Sequence, residues 1–123
     1  MLLTGTLIAE SLRRGSVMDG MALRVRKISR ADLGDVEAGQ PLTWTFLEFE
    51  VTDGDAGALA ELLQAALDPV GGWYCDYRSD DETFVVFSGR AFRYPRGDQV
   101  GRAEAKEYGR SVGVPEAQLD WPV

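Results

Sequence analysis

A chain of 123 residues, 45% apolar and 27% charged, is the size of one globular domain and can build a core without metal or disulfide staples. It has no histidine and a single cysteine, which excludes Ser-His-Asp and Cys-His catalysis, imidazole-based zinc sites and internal disulfides. The net charge of −7 is segregated, with ten carboxylates and no Lys or Arg in residues 31–77 but six basic and two acidic side chains in residues 1–30; this balance makes nucleic acid an unlikely partner and suits steering toward a basic protein.

The opening residues 2–12, LLTGTLIAESL, alternate loosely and are rich in Thr, Leu and Ile, which predicts a first strand, followed by a turn between Gly15 and Gly20. The N-terminus lacks the basic opening and cleavage site of a signal peptide, and the longest apolar run is broken by Asp68 and Pro69. No membrane span is expected, and a lone cysteine fits a cytoplasmic protein. Residues 22–28 and 43–51 alternate more clearly. Pairing them as a hairpin sets Arg24 opposite Glu50, Arg26 opposite Glu48, Leu23 against Val51 and Val25 against Phe49, so one register satisfies charge and apolar pattern together.

Residues 55–67 carry Leu59, Leu62, Leu63, Ala66 and Leu67 at helical spacing, with Asp53 or Asp55 as cap and Pro69 as stop. Next come three strands, Trp73 to Arg78, Thr83 to Phe87 and Arg90 to Tyr94, the last two joined by a Ser88-Gly89 turn. That hairpin sets Val85 against Phe92 and Thr83 against Tyr94 on one face, with Phe84 opposite Arg93 on the other. Asp98 caps a second helix over about 99–112, whose apolar stripe is Val100, Ala105, Tyr108 and Val112; it ends at Gly113 before Pro115. The tail QLDWPV adds a short edge strand. The expected fold is one α+β domain over residues 1–123. Its mainly antiparallel sheet has five to seven strands with both helices on one face, a ferredoxin-like β-α-β-β-α-β portion from about residue 43, and an N-terminal strand extension.

Few side chains remain for chemistry. Cys75 lies among aromatic residues with no imidazole to activate it, and reads as a buried small hydrophobe. Glu48 and Glu50 share a strand face, but Arg24 and Arg26 meet them as ordinary cross-strand ion pairs. Asp80, Asp81 and Glu82 form an acidic turn that faces water, and DGDAG at 53–57 lacks the later ligands of a calcium loop. No catalytic residue, metal or cofactor is assigned.

Two functions follow. The first is a non-catalytic protein-binding domain of the inhibitor, immunity or adaptor type, docking a basic protein partner through Asp32, Asp35, Glu37 and Trp44. The second is a small-molecule or anion-binding domain, or a minor enzyme, with Arg78, Arg93, Tyr74, Glu48 and Asp76 in one pocket. Edge strands near the chain ends allow a homodimer. One position tests the pattern: pairing Arg78 with Thr83 sets Asp76 opposite Val85, on what should be the core face. A bulge would instead group Cys75 and Tyr77 with Val85 and Phe87.

Overall fold

The computed structural model describes residues 1–34, 36 and 39–123. Its elements in chain order are β1 (Leu2–Ile8), β2 (Leu23–Asp32), β3 (Thr43–Thr52), α1 (Asp53–Ala66), β4 (Cys75–Arg78), β5 (Glu82–Phe87), β6 (Arg90–Pro95) and α2 (Gln99–Ser111), with single 3-10 turns at Ala9–Ser11 and Glu116–Gln118. The strands form one six-stranded antiparallel sheet in the order β2-β3-β1-β4-β5-β6, so the fold is α+β. Among the described residues no helix is long and apolar enough to cross a membrane.

The first strand is no peripheral extension. β1 lies in the centre of the sheet, between β3 and β4. It thereby separates the β3-α1 unit from the β4-β5-β6 meander, and α2 is followed by turn and coil, not by the final strand of a β-α-β-β-α-β unit. Gly5 makes this central position attainable. A Cβ there would lie 2.4 Å from the Asp76 carbonyl oxygen and 2.7 Å from the Tyr77 Cβ, so only glycine lets β1 and β4 approach.

The β2–β3 register is the expected one from Leu23↔Val51 through Val25↔Phe49. Arg26 is then an extra residue in a bulge, after which Lys27, not Arg26, stands opposite Glu48. The charges follow the bulge: Arg26 pairs with Glu50 at 2.9 Å and Lys27 with Glu48 at 3.7 Å.

The helices cover opposite faces of the sheet, which corrects the expectation of both on one side. Leu59, Ala60 and Leu63 of α1 pack with Leu3, Leu7, Phe49, Val51, Cys75, Tyr77, Phe84 and Val86. Ala105 of α2 packs instead with Val85, Phe87 and Tyr94, and with Leu119 and Trp121 of the tail. The cause lies in β5: Phe84 and Val86 point one way, Thr83, Val85 and Phe87 the other, and all five are buried. A strand apolar at both parities needs cover on both faces. Burial of this kind is worth about 1.5–3 kcal/mol per large side chain.

The contact face of α2 matches the expected stripe at Ala105 and Tyr108 but not at Val100 and Val112. Val100 is 70% exposed, and the helix meets the sheet through Gly101, Ala105 and Gly109. A Cβ on Gly101 would come within 2.6 Å of the Tyr94 Cβ, and one on Gly109 within 2.7 Å of Leu119 Cδ2 and 3.3 Å of the Phe87 ring. Small residues one turn apart let the helix axis approach the aromatic strands closely. Asp98 caps α2 as expected, accepting hydrogen bonds from the Val100 and Gly101 amides at 3.1 and 3.2 Å.

The tail forms no edge strand. Trp121 is 2% exposed and its indole N–H donates to the Tyr94 hydroxyl at 2.8 Å. Arg102 donates to the Trp121 carbonyl at 2.7 Å, and Arg96 donates to the Val123 and Ser79 carbonyls. A large aromatic side chain with its polar atom satisfied gains more from burial beneath α2 than from an exposed edge position.

A candidate groove on the uncovered half of the sheet

Strand parity assigns the side chains that remain uncovered. On the face opposite α1, α2 and the tail shield the β5–β6 end, while β3 and β1 present Trp44, Phe46, Glu48, Glu50, Thr4, Thr6 and Ile8 without a helix above them. The tail stands beside this surface as a wall. Between them lies a cavity of about 600 Å³, lined by Thr4, Thr6, Arg26, Glu48, Glu50, Tyr74, Asp76, Arg78, Asp120 and Trp121 among others. A second cavity, of about 370 Å³, is lined by Ile8, Trp44, Phe46, Trp73 and Ala117 and shares Thr6, Tyr74, Asp76 and Asp120 with the first. The four shared residues make the two cavities one groove with a junction. Both volumes fall in the range of ligand sites.

Four residues expected to form one pocket, Tyr74, Asp76, Arg78 and Glu48, do line the larger cavity. Arg93 does not. In β6 it stands opposite Phe84, the parity of the α1 face; its side chain is 62% exposed, donates to Glu82 at 2.7 Å and lies 5.0 Å from the Phe84 ring centroid. Of the residues expected to form a protein-docking surface, Asp32 lies at the exposed end of β2 and accepts a hydrogen bond from the Thr43 hydroxyl at 2.7 Å. Trp44 is 8% exposed and edge-on to Trp73 at 5.2 Å, forming a wall of the smaller cavity. Asp35 and Glu37 lie outside the described residues. Ile8, Thr6, Phe46, Trp73 and Asp120 were not singled out from the sequence. The outward parity of β1 beside β3 would have found the first three, had β1 been placed in the centre.

The Arg78–Thr83 connection adopts the register that sequence pattern made awkward. Arg78 pairs with Thr83 and Asp76 with Val85, while Cys75 and Tyr77 join Phe84 and Val86 on the α1 face. Two-sided cover resolves the difficulty, because Val85 and Asp76 share a face of which only part is closed. Val85 is buried under α2, and Asp76 reaches the rim of the groove with 21% of its side chain exposed. Burial pushes its carboxyl from the ordinary 3.8 up to about 6; Arg78, 3.6 Å away, opposes the rise and Asp120 adds to it.

The neighbouring groups have settled roles. The Tyr74 hydroxyl donates to the Gln118 carbonyl and is held protonated by burial and by Asp76 and Asp120, so it anchors the tail segment. Cys75 faces the α1 core, its thiol pushed well above the usual range by burial and then by Asp76, and 3.6 Å from the Thr6 carbonyl. Each groove arginine already faces a carboxylate, Arg26 with Glu50 and Arg78 with Asp76. Asp120 is exposed and forms no salt bridge among the described residues. No group of three acidic or thiol side chains among the described residues is arranged to hold a metal ion.

In comparisons with protein-family models, curated proteins and solved structures, nothing matches this chain.

Proposed function

We propose that the chain is a non-catalytic, cytoplasmic binding domain and that a protein partner docks in the groove between β3, β1 and the C-terminal tail. The observation that carries this reading is the groove itself: two contiguous cavities on an uncovered sheet face, one lined by charged groups and the other by aromatic rings. The lack of histidine, the inward-facing Cys75 and the committed Tyr74 hydroxyl support binding over catalysis. A single buried thiol suits a reducing compartment. Self-association by edge pairing is the weaker partner reading, since both edge strands carry cations, Arg24, Arg26, Lys27 and Arg30 on β2 and Arg90 and Arg93 on β6.

The small-molecule reading keeps one supporting observation, the meeting of Arg78, Asp76 and Tyr74 around one cavity. A photo-crosslinking amino acid replacing Thr6 in the groove, and separately Val100 on the exposed side of α2, tests the choice in cells. A single protein adduct formed at position 6 and not at position 100 is the expected result. No adduct at position 6, combined with a metabolite-induced thermal shift lost in Thr6→Trp, would transfer the function to the small-molecule reading.

A further inference from the structure

We infer that the segment this groove takes is a basic-apolar peptide stretch of the partner, with an Arg or Lys side chain seated between Asp76 and Asp120 and a neighbouring apolar side chain in the aromatic half. The inference rests on the proposed docking groove and names its ligand chemistry. Four carboxylates, Glu48, Glu50, Asp76 and Asp120, line the larger cavity against two guanidinium groups, Arg26 and Arg78. Both guanidiniums are already engaged by Glu50 and Asp76, and Lys27 lies 3.7 Å from Glu48, so the charge left uncompensated toward the incoming ligand is that of Asp120.

The placement of that charge selects the ligand further. Asp120 lies near enough to Asp76 to add to the rise of its carboxyl, and the two stand where the two cavities join. A cation placed between them removes this repulsion and gives exposed Asp120 the partner it lacks. A metal ion is the wrong shape for the site, because the carboxylates are spread along the groove and not gathered on a point. Beyond the junction, Trp44, Phe46, Trp73 and Ile8 offer an apolar wall. A ligand reaching both halves therefore carries positive charge and apolar surface side by side, as a peptide does when such residues alternate along an extended backbone.

The test is selection from a random-peptide library displayed on phage, using the full chain as bait, with Thr6→Trp as a blocked groove and Asp120→Lys as a second block that leaves the sheet untouched. Thermal melts establish that each variant folds. The expected result is a set of peptides with Arg or Lys beside an apolar residue, bound by wild type, lost in both blocked variants, and weakened about tenfold or more by Asp120→Asn. Groove-dependent peptides of neutral or acidic consensus would overturn the cation assignment while leaving the docking groove standing. Peptides indifferent to Thr6→Trp, or no binders at all, would overturn both. Displacement of the selected peptide by an equal concentration of spermidine would overturn the assignment to a peptide.

Discussion

The face of the sheet opposite α1 has two halves built on the same backbone geometry and finished differently. At the β5–β6 end, the outward positions are Val85, Phe87, Phe92 and Tyr94, and α2 with the tail closes over them. At the β1–β3 end, the outward positions are Thr4, Thr6, Glu48 and Glu50, with Ile8, Trp44 and Phe46 at one end of the groove, and no helix among the described residues closes over them. The mostly apolar outward set recruits a cover and the mostly polar one keeps its water, so the groove is the place where the cover stops and Ile8, Trp44 and Phe46 remain as its apolar end. Asp76 stands on the boundary, buried enough to be perturbed and open enough to be reached.

The most damaging way to break this contrast is to remove the tail's anchor. Trp121→Ala leaves a large void beneath α2 and frees the Tyr94 hydroxyl; we expect a loss of about 3–5 kcal/mol in urea unfolding, with peptide binding in the groove lost as its wall loosens. Gly5→Ala attacks the junction of the two halves from the α1 side. Its methyl group must push β1 away from the Asp76 carbonyl, at a cost of about 1–3 kcal/mol by the same measurement.

Asp76→Asn sharpens the contrast in the opposite direction. The folded state holds the Asp76 proton up to about pH 6 and the unfolded chain only to about 3.8, so the folded state binds more protons between these values and stability falls as pH rises through that window. The charged groups acting on Asp76 are Arg78 on its own strand and Asp120 of the tail, while Asp76 in turn raises Tyr74 and Cys75 beside it. Asparagine removes the penalty for ionisation, and the variant should be more stable than wild type by about 1–2 kcal/mol near pH 7.5, with the difference closing near pH 4. A difference independent of pH would remove Asp76 as its source. The smallest effect belongs to the solvated rim: Lys27→Ala breaks a 3.7 Å contact between two exposed side chains and should shift stability by about 0.5 kcal/mol or less.

The stretches whose pattern could be read were those where partners are near in sequence. The β5–β6 hairpin, with Val85 against Phe92 and Phe84 against Arg93, follows from the two-residue Ser88-Gly89 turn. The buried stripe of α1 and the Asp98 cap of α2 follow from helical spacing and one carboxylate. Pattern misled where a single residue changed parity, as at the Arg26 bulge, and where glycines formed the contact, as with Gly101 and Gly109 of α2. Of the expected pocket, Tyr74, Asp76, Arg78 and Glu48 came together because β4 and β3 are both adjacent to β1. Arg93 fell away on parity alone, since Asp76 shares a face with Val85 and Arg93 shares one with Phe84.

Alternation along a strand is a local property, and it was enough to sort each strand's side chains into two sets. Which set of one strand lies beside which set of another is a long-range matter. It depended on β1 inserting between β3 and β4 and on α2 returning to the face opposite α1, because neither Gly5 nor the apolar run Phe84–Phe87 names its distant neighbour. The groove is the product of those two choices: the same Thr, Glu and Asp side chains would be an ordinary wet sheet surface had the tail not packed Trp121 beside them.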